Sequence, residues 1–498
     1  MKARSETGRI ARARLLLAPL LVLATVPALA QMGPVTTQSL FFDQGSNSGR
    51  GNYVDLTAGA IYTDNVYLVP DGPGAPLALV GLLADTSREG PRLDWRLDSN
   101  IALVKYLKSQ YSTQLFGYLD GSAVLKIVPG LFSWYARNTF QQVAITPYAP
   151  LTPDNLESIN YVTTGPRFTL RPTLRTTVTV NGTYSYLSTS SQSSSYVNLD
   201  NHRYGGDFNI NRAFTSTTSA YLSGAYNKVQ FKDTTLNDNF TQAVAFAGLS
   251  IQDARTVANL SAGYGKVRVT KLVTEQSVIG VIEHTEEQKP SGVMWDASLS
   301  RLISPTQRVT LRANQEITDL PNLFQLNYDQ AVPSTVPIQI ANAEPFTQRV
   351  YQASWRFEEN RTALQFDLYG AKYTYEITPK NNRTSRAVSG VFVRRLSPVL
   401  SWDVAASYWH DAFELSTQKS LNFLTSLRWQ VGQRVSARFF YAHTTTSPNG
   451  YKENQIGIIA GYALQHEPTT GEAYGLRPIA PASSLQPTYV PSSAPPPQ

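Results

Sequence analysis

The chain contains no cysteine in its 498 residues, which excludes disulfide frameworks, thiolate metal sites and cysteine nucleophiles together. Charge is scarce as well: 16% of residues are Asp, Glu, Lys or Arg, against about a quarter in an ordinary soluble protein. Beyond residue 30 no stretch approaches the ~18 consecutive apolar residues of a membrane-spanning helix. What the chain does have is aromatic residues at 11%, 27 of them tyrosine, in a background rich in Ser and Thr. Low charge with many aromatics describes neither a disordered chain nor an ordinary cytosolic enzyme.

The net charge is +7, but residues 1–30 hold Lys2, Arg4, Arg9, Arg12 and Arg14 against Glu6, so residues 31–498 carry only +3. That gives no case for a nucleic-acid partner. The same thirty residues continue into the apolar run Leu15 to Val26, broken by Pro19, and then Ala28-Leu29-Ala30. A basic segment, a short apolar run and a small-x-small site predict a cleaved export signal over residues 1–30. Residues 31–51 are then a short periplasmic segment, and residues 465–498, rich in proline, a disordered periplasmic tail.

Between them the hydropathy has a period of two. In residues 173–187, Leu174, Thr176, Val178, Val180, Gly182, Tyr184 and Tyr186 alternate with Arg175, Thr177, Thr179, Asn181, Thr183 and Ser185. Residues 92–103, 400–410 and 421–429 repeat the pattern, with Leu93, Trp95, Leu97, Ile101 and Leu103 set against Arg92, Asp94, Arg96, Asp98 and Asn100. Sandwich strands average five or six residues, whereas a tilted membrane-crossing strand needs about nine to eleven, and these runs are that long or longer. Short connections such as Lys126 to Gly130 and Gln430 to Gln433 alternate with longer polar ones at 188–201, 271–290, 320–345 and 376–385. The predicted fold is all-β: a transmembrane antiparallel up-and-down β-barrel over residues 52–464, with about 18 to 20 strands, short periplasmic turns and longer extracellular loops. Residues 77–86 and 386–395 are the weakest strand candidates.

Three stretches carry a family resemblance: Tyr62-Thr63-Asp64-Asn65-Val66, then Pro147-Tyr148-Ala149-Pro150-Leu151-Thr152-Pro153-Asp154-Asn155-Leu156, and Tyr451-Lys452-Glu453-Asn454-Gln455-Ile456-Gly457-Ile458 leading to Gly461-Tyr462. Together they resemble the outer-membrane β-barrel proteins of the PEP-CTERM and exosortase systems, encoded among exopolysaccharide genes. The resemblance implies a barrel on the exit route of a polysaccharide export apparatus, with outer-membrane lipid, the barrel-assembly machinery, polysaccharide and periplasmic export components as partners. It supplies no catalytic set.

The residues supply none either. The five histidines are scattered, no G-x-S-x-G elbow or phosphate-cradling loop occurs, and no metal or cofactor is expected. A charge facing mid-membrane hydrocarbon costs about 2 to 4 kcal/mol, which directs the polar face inward. The expected lumen lining is Arg92, Asp94, Arg96, Asp98, Arg175, Arg312, Glu316, Arg356, Asp367, Asp403, Arg428 and Arg438, with Tyr369 and Trp409 as stacking surfaces. Tyr106, Tyr184, Tyr186, Tyr221, Tyr351 and Tyr441 are expected in the interfacial girdles. Such a wall suits an exopolysaccharide conduit or accessory pore. It also suits a general or ligand-selective diffusion porin, and a scaffold that holds an envelope assembly by its loops would share the same barrel.

Overall fold

The computed structural model describes residues 53–145, 149–150, 152–191, 198–233, 239–277, 280–320, 344–414, 416–447 and 450–466. They form one antiparallel sheet. Its first strands are β1 (Tyr53–Thr63), β2 (Ala75–Arg88), β3 (Leu93–Tyr106), β4 (Gln114–Val128), β5 (Phe132–Ala144), β6 (Leu156–Thr173) and β7 (Thr176–Ser190). Then come β8 (Asn201–Ala213), β9 (Thr218–Phe231), β10 (Asn239–Gln252), β11 (Thr256–Ser277), β12 (Gly280–Gln288), β13 (Ser291–Ser304) and β14 (Gln307–Thr318). The last are β15 (Phe346–Glu359), β16 (Thr362–Thr374), β17 (Arg383–Ser397), β18 (Leu400–Phe413), β19 (Thr417–Gln430), β20 (Val435–Ser447) and β21 (Lys452–His466).

Each strand pairs with its chain neighbour, and β1 closes on β21 from Tyr53 opposite His466 to Thr63 opposite Gln455. β12 and β13 occupy one barrel position: β11 pairs with β13 through Thr256–Lys266 and with β12 through Val269–Ser277. The wall is therefore 20 strands around, the upper of the two expected counts, and both weak candidates form full strands as β2 and β17. The stretch expected as a loop at 271–290 is instead an extended hairpin, because β11 continues past its barrel partner and Pro290 interrupts the returning strand. Residues 321–343, most of another expected loop, lie outside the described residues, as do residues 1–52, the Pro-rich segment 467–498 and Pro147, Tyr148 and Leu151 of the middle motif.

The alternation read from the sequence sets the two faces. Leu93 and Leu103 of β3, Leu260 of β11, Phe366 of β16, Leu421 of β19 and Ile456 of β21 are among a continuous outer set of exposed apolar side chains. A soluble protein does not leave a belt of this extent in water. A closed barrel is the only β arrangement that satisfies every backbone group inside a bilayer, since it has no edge. The chain is an outer-membrane β-barrel that crosses by strands; among the described residues no helix is long and apolar enough to do so. Trp95, Trp134, Phe168, Trp355, Trp402 and Trp429 lie outward near the short turns, and Tyr184, Tyr204, Tyr226, Tyr351, Tyr408 and Tyr441 lie outward toward the loops.

Tyr106 and Tyr221 depart from their expected girdle places. Both point inward and are 5% and 7% exposed. Tyr221 sits opposite Gly248 of β10, and its ring fills the space that a Cβ there would need. One backbone position also requires glycine: Gly117 has φ of 117° and a Cβ would meet Asn100 O at 1.7 Å. Just beyond it β4 stays paired with β3 while its pairing with β5 has ended, which lets the two strands part toward the extracellular side.

Candidate functional site: the lumen

The inward faces form two zones. β3 shows both: Asp94, Arg96, Asp98 and Asn100 point inward in its periplasmic half, and Ala102, Val104 and Tyr106 continue the same face above. In the lower zone charge is matched locally. Lys126 Nζ lies 2.7 Å from Asp94 Oδ2, and Arg96 Nη2 lies 3.8 Å from Asp98, which also accepts a 2.8 Å hydrogen bond from the Tyr118 hydroxyl. Arg312 lies 3.2 Å from Asp296, and Arg356 3.0 Å from Glu358. Asp403 is held by Arg428 at 3.0 Å and Arg438 at 3.5 Å. Asp367 accepts from Gln365 Nε2 at 3.0 Å, and near the extracellular end of β14 Glu316 accepts from Gln348 Nε2 at 2.5 Å.

Ten of the twelve expected lining charges thus stand on the inner wall. Arg92 and Arg175 do not. Arg92 lies in the β2–β3 turn and Arg175 in the β6–β7 turn, both exposed, where Arg175 Nη1 donates to Phe214 O at 3.5 Å. The alternation had been carried one residue past the strand end in each case. Tyr369 and Trp409 do face each other inside, ring centroids 6.1 Å apart, but Trp409 is only 9% exposed and Tyr369 is tied to the Tyr373 hydroxyl at 3.0 Å.

Several lining residues escaped the sequence reading. Arg137 grips Asp120 with two hydrogen bonds, Nε to Oδ1 at 2.8 Å and Nη2 to Oδ2 at 2.9 Å. Thr177, Thr179, Asn181, Thr183 and Ser185 make the inner face of β7 a run without ionised groups, joined to its neighbours by Thr163–Ser185 at 3.0 Å and Asn181 to Asp207 at 2.7 Å. The alternation showed this face as polar, and counting its hydroxyls would have separated it from the charged walls.

Above the lower zone, the sector made by β1–β4 and β20 is apolar. Ile61, Leu77, Leu79, Val104, Phe116 and Phe440 form one buried cluster on the extracellular half of β1–β4 and β20, with Val66 of the β1–β2 loop packed into it. Tyr67, Tyr106 and Tyr111 bring loops 64–74 and 107–113 together, with Tyr67 and Tyr106 centred 5.4 and 5.3 Å from Tyr111. Burial, and next the charge of Asp154, push the Tyr111 hydroxyl up to about 12. The expectation of a hydrophilic inner face throughout therefore fails in this sector.

A third feature crosses the space between the walls. β14 stops pairing with β13 after Gln315 opposite Trp295, while it stays paired with β15 through Thr318 opposite Phe346, and its end bends inward. Ile317 packs with Phe246, Val267 and Met294 on the inner side of β10, β11 and β13, and its carbonyl accepts from Gln242 Nε2 at 2.7 Å. Asp319 then meets Arg203 of β8 at 2.6 Å, and Leu320 packs among Val143, Ile159, Tyr161 and Leu187 of β5–β7. Residues 317–320 form a strap from one wall to the other across the extracellular half of the lumen.

Among the described residues no group of three or more His, Asp or Glu could hold a metal ion. No family model matches the chain, and no curated protein matches it either. Solved structures similar to it include the ferric citrate transporter FecA in the unliganded form, at 7% identity and TM-score 0.45, covering 84% of this chain and 79% of that one. The copper transporter OprC is similar at 9% identity and TM-score 0.44 over 84% and 81% of the two chains. The ferric-catecholate import receptor Fiu from E. coli K12 is similar at 9% identity and TM-score 0.42 over 84% and 82%. Nothing about cargo or partners passes to this chain at that distance.

Proposed function

We propose that this barrel is a conduit or accessory pore for exopolysaccharide crossing the outer membrane. The observation that carries the reading is the lower lumen wall, where charges are paired side by side and β7 offers a row of hydroxyls and one amide. Paired charges leave little net field to trap an ion, and hydroxyls exchange hydrogen bonds with a hydrated sugar chain about as readily as water does. A wide barrel leaves room for that water, since barrels of 16 strands or more are not filled by their own side chains. The resemblance of the Pro147–Leu156 and Tyr451–Ile458 stretches to the exopolysaccharide-locus barrels supports the same cargo.

Clean deletion of the gene should leave polymer inside the cell, and normal surface polymer in that strain would refute the assignment. In planar bilayers the purified barrel should conduct little or intermittently, because the strap narrows its outer half. Steady high conductance with free passage of small solutes would make it a diffusion porin instead.

A further inference from the structure

In the lower lumen Asp94, Asp120, Asp296 and Asp403 each have a cationic partner. On the outer surface a band of five basic groups has no carboxylate partner among the described residues. Alternation sends Arg349, Lys372, Arg386, His410 and Lys419 outward at the extracellular ends of five successive strands, β15 to β19. They lie just beyond outward Tyr351, Leu368, Val388, Tyr408 and Leu421, where the apolar belt ends. The register arranges them in a stepped band: Arg349 is opposite Lys372, and Arg386 is opposite His410, which is opposite Lys419, while across β16–β17 Lys372 faces Thr384 and Arg386 faces Gly370. With strands about 4.8 Å apart, the band runs about 20 Å along the rim. His410 is half-buried and the other four are exposed.

Like charges placed directly opposite each other destabilise a sheet. Among the described residues the outward positions of the same strand ends carry no carboxylate, and Glu376 and Glu414 in the loops above form no ion pair with the band. Arg349 donates to Gln315 Oε1 at 2.8 Å, which fixes the guanidinium without neutralising it. Among the described residues no carboxylate supplies the counter-charge, and the band lies at the depth where lipid headgroups begin.

The geometry points to a binding site on β15–β19 for the phosphate-bearing headgroup of an outer-leaflet lipid. A guanidinium fork takes phosphate oxygens in pairs, and neighbouring ammonium groups add unscreened charge at the membrane surface. A zwitterionic headgroup offers no net negative charge to match five basic groups in a row.

Native mass spectrometry of the purified chain in detergent tests this, using lipid A, a disaccharide lipid with two phosphates, as the probe. Wild type should bind it, and the combined Arg349→Gln, Lys372→Gln, Arg386→Gln and Lys419→Gln variant should bind it at least about tenfold more weakly. Lys105→Gln, outward on β3 and away from the band, should leave binding unchanged, and Lys372→Arg should retain it. Should the fourfold variant fail to fold, the single Lys372→Gln and Arg386→Gln changes, each expected to weaken binding about threefold, decide the matter. Equal binding by wild type and the neutralised variants overturns the proposal. So does equal affinity for dephosphorylated lipid A, or displacement by millimolar inorganic phosphate, which would mark a site for free anions.

Discussion

The two halves of the lumen are built from the same strands and the same alternation, yet they hold together differently. Below, inward Asp94, Asp120, Asp296 and Asp403 each rest on a cation from a neighbouring strand. Above, inward Leu77, Leu79, Val104 and Phe116 exclude water, and a strap ending in the Arg203–Asp319 pair closes over the space. The lower half can therefore be a water path, whereas the upper sector on β1–β4 and β20 behaves as a folded core inside a barrel. Width alone does not make a pore; the chemistry of the inward set at each level decides whether water fills it.

That contrast can be broken most forcefully at the strap. Arg203 and Asp319 have side chains 7% and 1% exposed, so Arg203→Ala strands a buried carboxylate and should cost about 3–5 kcal/mol in urea unfolding from detergent. It should also raise single-channel conductance. A variant with unchanged conductance would show that the strap does not restrict the path.

Phe116→Ala strikes the apolar half and should cost about 3 kcal/mol through the cavity it leaves, with no change in ion selectivity. A shifted reversal potential in that variant would mean the upper cluster lines the conducting route after all. In the lower half, Asp403→Asn removes the carboxylate shared by Arg428 and Arg438, at a cost of about 1–3 kcal/mol. Reversal potentials in a salt gradient should move toward anion preference; an unchanged ratio would remove this sector from the water path.

The smallest expected effect lies outside the membrane. Asp253 caps the β10–β11 turn by accepting from the backbone N–H groups of Arg255 and Thr256 at 2.7 and 2.6 Å, and these bonds hold its carboxyl below the usual carboxylate range. A depressed folded pKa stabilises the fold above the unfolded value of about 3.9, and the contribution fades as pH falls through the folded value. Asp253→Ala should melt slightly below wild type at pH 7, with the gap closing in acid. A gap that stays constant down to low pH would assign the effect to something other than the carboxylate.

The barrel was legible because its period is local. Leu93, Trp95 and Leu97 against Asp94, Arg96 and Asp98 state both the strand and its two faces within six residues. The lower lining followed directly, failing only at Arg92 and Arg175, where the strand had already ended. Farther along β3, Ala102, Leu103, Val104 and Tyr106 are apolar on both sides, so alternation no longer says which side meets lipid and which meets other side chains. Tyr106 and Tyr221 fall among tyrosines that flank strands, which points to the girdles, and the structure turns both inward.

By itself the sequence determined the barrel strands (though not the β11–β12 extension), their number to within two, the outer belt and most of the charged wall, because each depends on spacing between residues a few positions apart. Tertiary structure alone decided that β14 parts from β13 after Gln315 while keeping β15, that Asp319 finds Arg203, and that five basic side chains from five strands form one band. Those meetings depend on closure and register, which bring together residues far apart in the chain, and no local pattern encodes a distance across a lumen.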